Sequence, residues 1–181
     1  GYTVPAMGVV LLLSGPPGVG KTTVIQKMCE QLGGWRLAGF TTAELRQDGQ
    51  RVGFVGKGFS GQKRLIAHLD HRGPQRVGRY GVFVDAIDAR ASELAPSPGV
   101  QLYVVDEIGS MECRSRELVR AVHRVLDGAV PLVATVAMRG SGLVAHVKDH
   151  PGARLFEVTP VNRDLLPAEL AVALQAAAAR R

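Results

Sequence analysis

Val9-Val10-Leu11-Leu12-Leu13-Ser14-Gly15-Pro16-Pro17-Gly18-Val19-Gly20-Lys21-Thr22-Thr23 joins a continuous apolar run to a glycine loop. The run suits a strand buried on both faces, and Val24, Ile25, Met28 and Leu32 then recur at helical spacing. Between them, Gly15 to Thr22 fits G-x-x-x-x-G-K-[ST], and a strand before it and a helix after it are the setting that phosphate-loop pattern requires. Glycines permit a tight loop whose amides converge on phosphate oxygens. Lys21 brings a positive charge to the β and γ phosphates, and Thr22 offers a hydroxyl to Mg²⁺. Thr23 adds a contact to the α-phosphate. The pattern therefore points to Mg²⁺ with a nucleoside triphosphate.

A second buried-strand run, Gln101-Leu102-Tyr103-Val104-Val105, ends at Asp106-Glu107. The carboxyl end of a strand is where open α/β sheets bind ligands. Asp106 is expected to hold Mg²⁺ through water, and Glu107 to polarise the attacking water as general base; the alternative for Glu107 is a solvent-facing or arginine-paired carboxylate. Asp106-Glu107-Ile108-Gly109 also fits the D-x-x-G of GTPases. Asn162-Arg163-Asp164 lacks the lysine and spacing of a guanine-selective N-K-x-D, so guanine specificity does not follow.

Thr135 is a polar residue in the apolar run Pro131 to Val136. A strand lying between those of the phosphate loop and Asp106 would bring it toward the γ-phosphate to orient water; the alternative is a β-branched residue that packs. Arg139, before Gly140-Ser141-Gly142, is either an internal arginine finger or a solvated loop arginine.

Elsewhere, Trp35 to Thr42 and Arg51 to Phe59 flank Asp48-Gly49, a hairpin signal. Lys57 to Arg79 holds six basic residues (Lys57, Lys63, Arg64, Arg72, Arg76, Arg79) against one acidic, Asp70, and reads as a mobile excursion. Tyr80 to Val84 reads as a strand, and Asp85 or Asp88 as the cap of a short helix through Leu94. Ser115 caps a helix with Leu118, Val119, Val122, Val125 and Leu126 on one face. Pro131 to Val136 and Leu155 to Val158 are strands, and Pro167 to Arg181 a closing helix. Short strands alternating with helices imply a doubly wound parallel sheet.

The 181 residues make one domain, over residues 7–181, with Gly1 to Ala6 read as an expression scar. Hydrophobic residues at 46% and charged at 21% exclude disorder and coiled coil. Lys and Arg total 22 against 16 Asp and Glu, a net +6 that favours anionic partners. Cys29 and Cys113 make neither a disulfide framework nor a zinc site, which fits a cytoplasmic protein. The run Met7 to Leu13 falls far short of the roughly 20 residues of a membrane span, so no membrane partner is expected. His146 and His150, four apart, read as helix surface rather than metal ligands.

From Val9 to Leu174 the chain resembles a small family of phosphate-loop nucleoside-triphosphatases described from thermophiles, with a human cancer-related relative. The resemblance rests on Gly15 to Thr23 (GPPGVGKTT), Gly39 to Arg46 (GFTTAELR), Arg51-Val52-Gly53-Phe54, Val77 to Val82 (VGRYGV), Val104 to Glu112 (VVDEIGSME), Ala134-Thr135-Val136 and Thr159 to Asp164 (TPVNRD). It implies a three-layer, RecA-like phosphate-loop sheet with a parallel core and an added antiparallel hairpin. It also implies slow, Mg²⁺-dependent hydrolysis of ATP, GTP, CTP and UTP to the diphosphate and phosphate. Its two nucleotide-binding segments fall here on Gly15, Pro16, Pro17, Gly18, Val19, Gly20, Lys21, Thr22 and Thr23, and on Tyr103, Val104, Val105, Asp106, Glu107, Ile108 and Gly109. Asn162 and Arg163 fall in the loop that lies near the base by fold analogy. Where the family often has lysine, Ser110 stands, and Cys113-Arg114 stand for its Leu-Phe.

Two other functions remain open on these residues. One is a small-molecule kinase using Lys57 to Arg79 as a lid. The other is a nucleic-acid-binding ATPase, less favoured because that segment has little aromatic interleaving for base stacking.

Overall fold

The computed structural model describes residues 8–180, so Gly1 to Ala6 lie outside it. The phosphate-loop strand β1 is Val10–Ser14 and the helix after it α1, Lys21–Gln31. The hairpin is β2, Leu37–Gln47, and β3, Gln50–Gly58, turning at Asp48 and Gly49 as its Asp-Gly pair predicts. There follow β4 (Lys63–His68), β5 (Arg76–Val77), β6 (Tyr80–Val82), α2 (Val84–Ala89) and a 3-10 turn at Arg90–Leu94. The second half runs β7 (Leu102–Ile108), α3 (Arg116–Leu126), β8 (Leu132–Val136), α4 (Leu143–Lys148), β9 (Ala153–Glu157) and α5 (Leu166–Ala179).

Among the described residues these strands form one sheet in the order β5-β6-β4-β3-β2-β7-β8-β1-β9. From β2 to β9 every pairing is parallel, and from β2 outward to β5 every pairing is antiparallel. Strand alternation divides the apolar runs between two cores. Val10, Leu12, Tyr103, Val105, Leu132 and Ala134 face one side, where α2, α3 and α4 pack. Leu11, Leu13, Leu102, Val104 and Val133 face the other, under α1 and α5. Central strands buried on both faces are apolar at nearly every position, so these runs are continuous instead of alternating.

The basic stretch Lys57 to Arg79 is corrected by this architecture: it is not a mobile excursion but widens the sheet. Leu65, Ile66 and Ala67 carry β4 against β3, with Ile66 and Ala67 fully buried while Lys63 and Arg64 point outward. A three-residue apolar signal diluted by flanking charge is enough once a neighbouring strand supplies the pairing. The short helix is also capped differently. Phe83 occupies the position before α2 with no side-chain bond, and Asp88 accepts instead from the Ser115 hydroxyl. That serine caps α3 as expected, its Oγ accepting from Leu118 N at 3.0 Å.

Candidate active site

The carboxyl ends of β1, β7 and β8 meet at one edge of the sheet, because β8 lies between the other two. The loop Gly15 to Gly20 leaves β1 there. Gly20 precedes α1 with φ of 115°, a left-handed conformation that favours glycine. Lys21 then bends back over the loop, its Nζ donating to the Gly15 carbonyl at 2.5 Å. Pro16, Pro17 and Gly18 face solvent, whereas Val19 turns inward to the α1 core. Thr23 is exposed on the first turn of α1.

Asp106 ties the end of β7 to β8 and to the first turn of α1. Its Oδ2 accepts from Thr22 Oγ1 at 2.9 Å and its Oδ1 from Thr135 Oγ1 at 2.6 Å. Burial pushes the Asp106 carboxyl above its ordinary range, while the Thr135 and Thr22 hydroxyls, Arg90 and Lys21 pull it back. Thr135 is completely buried, so its hydroxyl serves Asp106 from within the sheet. Glu107 is half-buried at the sheet edge; burial raises its carboxyl, Lys21 opposes this and Asp106 adds to it. Tyr103, Val104 and Val105 are core residues of β7, with the Tyr103 hydroxyl donating to the Ala95 carbonyl, and Ile108 is likewise buried. These four build the strand that delivers Asp106, Glu107 and Gly109.

Hard oxygen donors suit Mg²⁺, and a hydroxyl and a carboxylate 2.9 Å apart at the mouth of a phosphate loop are such a pair. The residues present fit the ion, which Thr22 and Asp106 could hold.

Asn162 and Arg163 join this edge from the loop after β9. The Asn162 side chain accepts from Thr159 N at 2.8 Å and donates to the Glu157 carbonyl at 2.8 Å, which fixes the loop. Arg163 Nη1 reaches the Val19 carbonyl at 3.2 Å, so the arginine lies against the phosphate loop. Arg139 is exposed and no hydrogen bond joins it to that loop among the described residues. It lines an open groove of about 360 Å³ with Ser110, Cys113, Arg114, Gly140, Ser141 and Val144. His146 closes against His123, and His150, beyond the end of α4, bonds the Leu126 carbonyl. Among the described residues no cluster of His, Cys, Asp and Glu could hold a metal ion on its own.

Two buried ionic residues went unread in the sequence. Arg90 and Glu112, each about 5% exposed, face one another at 3.7 Å, and the Glu112 Oε2 accepts from Gly109 N at 3.1 Å. A signal for Arg90 existed: with Ile87 and Leu94 it marks an i, i+3, i+7 face that turns out to be buried, where a charge is out of place.

Residues 10–171 match the family model described as NTPase. The chain belongs to this NTPase family. It is 37% identical over 176 residues to "Nucleoside-triphosphatase THEP1" of Thermofilum pendens, covering 93% of this chain and 97% of that protein. The crystal structure of THEP1 from Aquifex aeolicus superposes with a TM-score of 0.80 at 34% identity, over 92% of this chain and 99% of that one. The solution structure of a human cancer-related nucleoside triphosphatase gives 0.78 at 31% identity, over 94% and 98%. The NTPase family fold is thus the phosphate-loop sheet described above. No described helix is long and apolar enough to cross a membrane.

Proposed function

We propose that this chain hydrolyses nucleoside 5'-triphosphates, ATP, GTP, CTP and UTP among them, to the diphosphate and phosphate with Mg²⁺. The observation that carries the reading is Asp106, hydrogen-bonded to the phosphate-loop Thr22 across 84 residues of sequence, with Glu107 beside it. Such a pair is what phosphoryl transfer to water needs: positioning, charge neutralisation and a base. The relatives named as nucleoside-triphosphatases support the same reaction.

In this reading the loop amides and Lys21 bind the β and γ phosphates, and Thr22 and Asp106 hold the ion. When bound, Mg²⁺ supplies charge neutralisation at the transferring phosphate. Thr135 keeps the Asp106 carboxylate turned toward Thr22. Glu107 takes the proton of the attacking water, and Arg163 supports the loop from the side of the base. Exchanging Glu107 for Gln is expected to lower kcat ~10²–10⁴-fold with little change in nucleotide affinity. Near-normal phosphate release by that variant, measured across the four triphosphates, would sink the assignment.

The groove between Arg114 and Arg139 favours a second reading, a kinase with its acceptor seated beside Ser110. Phosphate release measured together with transfer to added nucleosides, nucleotides or sugars separates the two.

A further inference from the structure

We infer that Glu112, braced by Arg90, is a positioning residue for the loop that carries Glu107. The inference rests on Glu107 acting as the base.

Gly109 is the hinge of the argument. A Cβ placed there would lie 2.8 Å from Glu107 Oε1 and 3.5 Å from Glu112 Oε2, so both carboxylates close on the same glycine. Glu112 reaches it from the 3-10 turn Glu112–Arg114 and accepts the Gly109 amide proton in the interior. The backbone two residues beyond Glu107 is therefore held by a buried acceptor rather than by the sheet ladder, whose β7 to β8 register shifts between Val105 and Ile108. The Glu107 carboxylate sits in the irregular step of that pairing; the ladder resumes at Ile108, which pairs with Val136 and accepts from Ala137 N at 3.1 Å, and Glu112 adds a second hold at Gly109, the next residue.

Arg90 explains how a carboxylate is kept in that place. Its guanidinium lies 3.8 Å over the Phe40 ring, its Nη2 donates to Thr42 Oγ1 at 2.7 Å, and its Nη1 faces Glu112 Oε1 at 3.7 Å. Among the described residues Nε and Nη1 have no hydrogen-bond partner. Two unpartnered buried guanidinium nitrogens are a poor way to stabilise a core, and apolar residues of similar volume do at least as well in such places. What the pair supplies that apolar residues cannot is a fixed acceptor for Gly109, anchored through Arg90 to β2.

The test compares two charge-free replacements in the full chain. Arg90→Met with Glu112→Met removes the acceptor and keeps the volume, while Arg90→Met with Glu112→Gln removes the charges and keeps an acceptor. The first is expected to lower kcat about 10- to 100-fold with KM within about threefold and the thermal midpoint near that of the unaltered chain. The second is expected to recover most of the loss. Full kcat in the Met pair, or a Gln variant as impaired as the Met pair, overturns the inference. Should the Met pair not fold, amide exchange in the unaltered chain decides: the Gly109 proton is expected to be protected ~10²-fold or more, and exchange at the rate of an open loop overturns the proposal. If Glu107→Gln itself leaves turnover intact, the reading of the base fails first; if that variant is dead and the Met pair is active, only the positioning role fails.

Discussion

Arg163 and Val19 stand 144 residues apart, and the guanidinium of the first donates to the carbonyl of the second at 3.2 Å. The Arg163 Cδ also lies 3.4 Å from where a Cβ on Gly20 would be, so the arginine braces the phosphate loop where it enters α1. Asn162 holds the segment in place through Thr159 and Glu157. A brace of this kind acts on the loop, not on one base. Replacing Arg163 by Ala is expected to raise KM about tenfold for ATP, GTP, CTP and UTP alike, with a smaller effect on kcat. Steady-state kinetics on the four substrates check it, and a loss confined to one base would show that Arg163 reads the base instead.

Thr135 tests how Asp106 is held. Valine preserves the shape of the side chain and deletes the donor, leaving Asp106 Oδ1 without its 2.6 Å partner in the interior. Groups that orient a metal ligand contribute about 10–100-fold in metal affinity or activity when removed. Thr135→Val is therefore expected to raise the Mg²⁺ concentration giving half-maximal turnover by that factor. The measurement is a Mg²⁺ titration of phosphate release at saturating triphosphate; an unchanged midpoint would leave Thr135 a packing residue.

The burial of Glu112 has a consequence for stability against pH. Its carboxyl is raised from 4.5 to about 7, chiefly by burial, with Arg90 opposing. The folded chain then binds a proton that the unfolded chain has already released between those values. Stability is accordingly greatest below the unfolded value and falls as pH rises from about 4.5 to about 7, by an amount on the order of 3 kcal/mol from this group. Urea unfolding of the unaltered chain and of Glu112→Gln across that range separates its contribution, since the Gln variant should lose that part of the slope.

Much of this site was legible because phosphate chemistry demands particular residues at particular spacings. The loop Gly15 to Thr22 and the carboxylates after a buried strand could be placed before any strand order was known. Thr135 stood out as a hydroxyl in an apolar run, but its partner became visible only when β8 fell between β7 and β1. The segment Lys57 to Arg79 was misjudged because charge on an outer face conceals a strand whose inner face is only Ile66 and Ala67. Arg90 and Glu112 were missed for a related reason: ionic residues are ordinarily read as surface, and their pairing joins the end of α2 to the turn after β7 across 22 residues. Local rules report what a residue prefers, and these depend on what the sheet brings beside them.

Gly39 offers the strictest test of the sheet itself. It sits opposite Val104 where the antiparallel extension joins the parallel core, with φ of 121°. A Cβ there would come within 1.9 Å of the Val104 carbonyl oxygen, against backbone that cannot withdraw without breaking the β2 to β7 pairing. Both the conformation and the approach exclude a side chain. Gly39→Ala is expected to cost about 3 kcal/mol or more, lowering the thermal midpoint by about 6–12 °C. Gly33→Ala is the control, since its Cβ would meet nothing closer than the Glu30 carbonyl at 3.9 Å, and it should stay within about 0.5 kcal/mol of the unaltered chain. Because Gly39 is one residue from Phe40, on which Arg90 stacks, unimpaired stability in the Gly39→Ala variant would contradict both the β2 to β7 register and the anchorage of Arg90 that depends on it.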